Sequence, residues 1–103
     1  METEVKEILP EELIKRIERG DKIQIVDVRE QHEWDDGHIP QAIHIPLGTL
    51  PEKLPALDKE TPIVMVCRSG ARSWRATEFA QYYGYKVENM AGGMLAWPGE
   101  VTS

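Results

Sequence analysis

The chain is poor in cysteine: Cys67 is the only one among 103 residues. That excludes an intrachain disulfide and any zinc site built from several thiolates. Positive charge is also in deficit, with a formal net charge of −6. General nucleic-acid binding needs a basic face, so it is not expected. No apolar run approaches the roughly 20 residues that span a bilayer. No apolar segment follows the polar, acidic start at Glu2, Glu4 and Glu7, so no secretory leader is expected and the cytoplasm is the expected compartment. Internal repeats, low-complexity segments and long linkers are absent as well. A chain of this length suits one domain, residues 1–103, and can enclose a core without staples.

What is present alternates between two periodicities. Val5 to Ile8 reads as a short edge strand, and Pro10 stands where a first-turn proline is tolerated. Leu13, Ile14 and Ile17 then share one helical face, with Gly20 as a stop. Ile23 to Val28 is rich in β-branched residues and reads as a strand buried on both faces. Glu30 to Asp36 supplies one or two helical turns, and Ala42 to Pro46 a short strand. Leu47, Leu50, Leu54 and Leu57 recur at helical spacing, but Pro51 and Pro55 confine helix there to short pieces. Ile63 to Val66 is the next strand, Ser73 to Tyr83 a helix with Ala76, Phe79, Ala80 and Tyr83 inward, and Tyr85 to Val87 a last strand. A final turn or short helix opens at Gly92-Gly93 and runs through Trp97 to Pro98. Strands alternating with helices imply a small three-layer α/β domain, with a four- or five-stranded, mainly parallel sheet and helices on both faces.

Cys67 ends the apolar run that begins at Pro62 and opens Cys67-Arg68-Ser69-Gly70-Ala71-Arg72-Ser73. The small residues permit a tight strand-to-helix loop whose N–H groups can form an anion-binding nest. The following helix adds the positive end of its dipole. Arg68 and Arg72 add charge and can hold a substrate oxyanion. All three effects favour a thiolate, which is the nucleophilic form. Two chemistries compete for such a loop: attack on a tetrahedral phosphate, or attack on a sulfane sulfur. The cysteine phosphatase pattern places its arginine one position later, where this chain has Ser73. The shorter loop favours the smaller target, one sulfur atom.

Several pieces in order carry a family resemblance. They are Asp27-Val28-Arg29-Glu30, Trp34, Gly37-His38-Ile39-Pro40, His44-Ile45-Pro46-Leu47, the Cys67 to Ser73 loop, Gly84-Tyr85 with Val87, Asn89-Met90-Ala91-Gly92-Gly93-Met94 and Ala96-Trp97. Together they resemble a single-domain rhodanese, a sulfurtransferase, over most of the chain. Gln41 departs from the family, which often has glycine after the proline. The resemblance implies a persulfide cycle at Cys67, loaded by thiosulfate or another small sulfane-sulfur donor. An external thiol, protein or cyanide then accepts the sulfur. Backbone N–H groups from Arg68 to Ser73 would hold the persulfide, and no metal or organic cofactor is required. With no second thiol to resolve the persulfide, the acceptor must be another molecule. A sulfur-carrier or binding module with little thiosulfate turnover is the alternative, and a small cysteine phosphatase a more distant one.

The remaining candidates support rather than react. Asp27 and Arg29 are expected to brace the loop as a buried ion pair, and His38 to stabilise a turn. His32, His38 and His44 are spaced six apart, which is no shared ligand face. Met90 and Met94 read as core or rim fillers. Trp74 falls nearly opposite the inward stripe of its helix and is expected at the pocket rim or packed against a neighbouring loop near Trp97.

Overall fold

The computed structural model describes residues 4–103; Met1 to Thr3, including Glu2 of the acidic start, lie outside them. Five strands form one sheet: β1 (Glu7–Ile8), β2 (Gln24–Asp27), β3 (Ala42–His44), β4 (Ile63–Val66) and β5 (Val87–Met90). Their order is β1-β5-β4-β2-β3 and every pairing is parallel. β4 is central and buried at all four residues. This is what a continuous apolar run covered on both faces requires.

Among the described residues four α-helices accompany the sheet: α1 (Pro10–Glu18), α2 (Gln31–Asp35), α3 (Leu50–Lys53) and α4 (Ala71–Tyr82). Alternation along the strands divides the core in two. Val26, Val28, Ile63, Met65 and Cys67 point to the side of α3 and α4, where Leu50, Leu54, Ala76 and Ala80 meet them. Ile25, Val64 and Val66 point to the other side, against Leu13, Ile17, Met94 and Trp97. No helix among the described residues is long and apolar enough to cross a membrane.

Most strand and helix ends fall within two residues of the sequence reading, and the differences that bear on the site lie at α4 and β5. α4 begins at Ala71 rather than Ser73, because Gly70 takes a left-handed φ of 103° and turns the chain straight into the helix. Its buried stripe is Ser73, Ala76, Thr77 and Ala80. Phe79 is only half-buried and Tyr83 is 51% exposed, because small residues let the helix lie close to the sheet and leave the large rings outside. β5 starts two residues later than Tyr85 and runs through Asn89 and Met90, since β1 pairs with those two positions.

The chain leaves β2 for β3 on one side and β4 for β5 on the other. Strand order therefore reverses between β2 and β4, where open α/β sheets form a crevice outside the carboxyl ends. Asp27 ends β2 and Cys67 follows β4 at that crevice. Asp27 is fully buried and takes Arg29 in a fork: Arg29 Nε donates to both oxygens at 2.9 and 3.0 Å, and Nη2 to Oδ2 at 2.8 Å. Nη2 also donates to the Gly37 carbonyl at 2.8 Å. The next residue, His38, exchanges two backbone hydrogen bonds with Thr102. One ion pair thus ties β2, the turn after α2 and the carboxyl-terminal segment.

Removing one partner of a buried pair strands the other charge. Asp27→Ala should cost about 3–5 kcal/mol in denaturant unfolding. A loss no larger than that of an exposed pair would show that the fork has no structural weight.

Candidate active site

Cys67 is 1% exposed, yet its sulfur is not in an apolar site. Gly70 N–H donates to Sγ at 3.1 Å and the Ser73 hydroxyl lies 3.2 Å from it. Burial pushes the thiol pKa up. The Ser73 hydroxyl and the N–H groups of Ser73, Gly70 and Ser69 pull it down and prevail, leaving the thiol below its usual range. A sulfur anion there is stabilised mainly by hydrogen-bond donors.

The loop is held from behind by the turn at Gly93–Ala96. Met94 N–H donates to Cys67 O at 2.8 Å and Leu95 N–H to Arg68 O at 3.0 Å. A Cβ at Gly93 would sit 2.5 Å from the carbonyl oxygens of Cys67 and Arg68, so only glycine permits this approach. Ser73 Oγ, Asn89 and Gly70 form a second support, since Asn89 Nδ2 donates to the Gly70 carbonyl at 3.1 Å.

The structure gives the two loop arginines different surroundings. Arg68 is exposed in the loop. Arg72, in the first turn of α4, donates through Nη1 and Nη2 to the two carboxylate oxygens of Glu33, both at 2.7 Å. Arg72 therefore clamps α4 to α2, whereas the sequence alone made it a candidate to hold substrate. Its charge is largely answered before any ligand arrives. Ser69 and Ala71 are exposed, and Gly70 and Ser73 are buried.

Asp27 and Arg29 bond each other and Gly37; the hydrogen bonds of the Cys67 loop come from elsewhere. His38 Nδ1 meets the Trp34 carbonyl at 2.9 Å, and its ring stacks on Trp34 with centroids 3.4 Å apart. His44 stacks on the same indole. Trp74 is 39% exposed in the first turn of α4, bordering a shallow depression with Arg75, Glu78, Phe79 and Tyr82. Trp97 is half-buried against the core cluster on the opposite face of the sheet, so the expected neighbourhood of the two indoles is not formed. Glu7, Glu33, Thr77 and Asn89 escaped the sequence reading as site residues. Thr77 alone carried a signal: it follows Ser73 by one helical turn in a stripe of small residues.

Glu33 has its pKa lowered from 4.5 to about 2, first by the hydrogen bonds from Arg72. A carboxylate depressed on folding stabilises above its usual pKa and loses that contribution as pH falls through the folded value. The pair should weaken the fold as pH drops from about 4.5 towards about 2. In Arg72→Ala, that part of the acid limb should flatten when denaturation midpoints are followed against pH. The same acid slope in both proteins would rule out the clamp.

A family model described as Rhodanese-like domain matches residues 9–100. YtwF of Bacillus subtilis is 44% identical over 97 residues, covering 94% of each chain. A sulfurtransferase of Allochromatium vinosum is 36% identical over 94 residues, covering 90% of this chain and 88% of its own. The crystal structure of a rhodanese-like domain protein from Staphylococcus aureus superimposes with a TM-score of 0.87 at 36% identity, covering 93% of this chain and 94% of that one. The crevice between β2 and β4, the donor-lined Cys67 loop and these likenesses agree: the chain belongs to the rhodanese-like sulfurtransferase family.

Proposed function

We propose that this protein moves a sulfane sulfur from a small donor, thiosulfate or a persulfide, to an external thiophilic acceptor through a persulfide on Cys67. The observation that carries the reading is the set of donors converging on Cys67 Sγ, which lowers its pKa despite burial. In the first half, the thiolate attacks the outer sulfur of thiosulfate. A new S–S bond forms at Cys67, the donor S–S bond breaks, and sulfite departs with the electron pair. In the second half, an acceptor thiolate or cyanide attacks the outer sulfur and Cys67 leaves as thiolate. Such double displacement is covalent nucleophilic catalysis.

Roles in this reading follow from placement. N–H groups of the 68–73 segment hold the sulfur anion. Arg68, exposed in the loop, meets the donor's oxyanion. Arg72 fixes the start of α4 through Glu33. Asp27, Arg29 and His38 hold the adjacent turn, and Trp74, exposed in the first turn of α4, is the rim residue of this reading. The chain has one cysteine; no internal thiol resolves the persulfide, so the acceptor is a second molecule. Residues 1–103 act as one domain in this reading. The compartment we propose is the cytoplasm, where thiol pools keep a lone cysteine reduced.

The test is intact-mass spectrometry before and after incubation with thiosulfate, followed by cyanide or a thiol. Gain of one sulfur, its loss to the acceptor, and the absence of both in Cys67→Ser are expected. No gain from thiosulfate or from a low-molecular-weight persulfide, together with hydrolysis of an aryl phosphate, would overturn the reading. Slow loading from thiosulfate with fast loading from a persulfidated protein would replace turnover by a carrier role.

A further inference from the structure

Ser73 is placed to make two hydrogen bonds with one proton. Its Oγ faces Cys67 Sγ at 3.2 Å and makes a short contact with Asn89 Oδ1. A serine hydroxyl donates once and accepts through its lone pairs. The other end of Asn89 fixes which way the amide points. Nδ2 donates to Glu7 Oε2 at 2.9 Å and to the Gly70 carbonyl at 3.1 Å, both pure acceptors. Turned the other way, the amide oxygen would face two oxygens with no proton between them. Oδ1 therefore faces Ser73 and can only accept. Ser73 is fully buried and Asn89 is 1% exposed, so bulk water does not replace a bond lost here.

We propose that Asn89 is a positioning residue that competes with Cys67 for the Ser73 proton and so sets how readily the sulfur becomes a thiolate. In the thiol state the S–H donates to Ser73 Oγ, and the hydroxyl donates to Asn89 Oδ1. When the thiol proton leaves to solvent, the hydroxyl turns about its C–O bond and donates to the sulfur anion. Asn89 Oδ1 then loses its partner, and that loss is charged against the thiolate. Only the S–H bond breaks.

The competitor is held in place from β1. Glu7 and Asn89 are register partners of β1 and β5, so the edge strand orients the amide. The charged groups along this line are Glu7 at its far end and Arg72, paired with Glu33, at the start of α4; Arg68 is exposed in the loop. β4 and the Gly93–Ala96 turn contribute none. The inference rests on Cys67 as the nucleophile but not on the donor that loads it.

The test is the rate of iodoacetamide alkylation at Cys67 against pH, with intact mass confirming a single adduct, in the parent, Asn89→Ala, Ser73→Ala and the double variant. Below the parent midpoint, Asn89→Ala should alkylate about three- to tenfold faster, because the thiolate keeps the Ser73 proton unopposed. Ser73→Ala should alkylate slower by a similar factor. The double variant should show no acceleration over Ser73→Ala, since the competition needs that hydroxyl and the amide's remaining contact, with the Gly70 carbonyl, only supports the loop. An unchanged or slower Asn89→Ala profile overturns the proposal, as does a double variant in which both effects add. So does a lowered melting temperature with an unmoved profile, which makes Asn89 purely structural. If Asn89→Ala fails to fold, the near-isosteric Asn89→Leu also lacks the acceptor and carries the same expectation. Alkylation reports the thiolate whether or not sulfur moves. A shifted profile in a protein that never loads sulfur would overturn the function and leave this inference standing.

Discussion

A sulfur removed from water can carry charge only if hydrogen-bond donors replace the water. Much of this structure is arranged around that requirement at one atom. The donors are backbone N–H groups of the residues just after β4 and one hydroxyl from the first turn of α4. They converge only if the chain reverses within a few residues, which the left-handed Gly70 allows. The reversed loop in turn exposes two carbonyls at its back, and the N–H groups of Met94 and Leu95 satisfy them. That contact requires a residue without a side chain at Gly93. One sulfur thus sets the demands on β4, α4 and the turn after β5.

The arginines contribute less to that sulfur than their number suggests. Arg68, Arg72 and Arg75 fall within eight residues with no acidic residue among them. In the folded chain Arg72 spends both terminal nitrogens on Glu33. The groups that lower the Cys67 pKa are hydrogen-bond donors. Fixed dipoles in a buried site need no reorganisation when charge develops, whereas a long cationic side chain must be held in place. Here Glu33 does the holding, and Arg68 is left as the exposed cation in the loop.

The layer architecture was legible because each strand announces itself by composition. Ile63 to Val66 is apolar throughout and became the central strand; the leucines between Leu47 and Leu57, interrupted by prolines, became short helical turns. The rotated stripe of α4 has one origin. Ser73 and Thr77 are polar by type and were not counted as inward, although Ser73, Ala76, Thr77 and Ala80 follow helical spacing. Hydropathy alone therefore points to Phe79 and Tyr83 as the inward face, and it carries no sign of the left-handed turn at Gly70 that starts α4 at Ala71.

Sequence alone singled out Cys67, the strand-to-helix loop that carries it and the lack of a second thiol in the chain. These are local or compositional facts: one cysteine, a run of small residues, an apolar segment before them. Only the tertiary structure decided that Arg72 belongs to Glu33, that Asp27 and Arg29 brace Gly37, and that Glu7, Asn89 and Ser73 form a line to the sulfur. Those partners lie 39, 8, 82 and 16 positions apart in the chain. Periodicity registers which way a side chain faces within one element. It carries no information about which side chain of a distant element stands opposite, because strand order and register settle that when the sheet assembles.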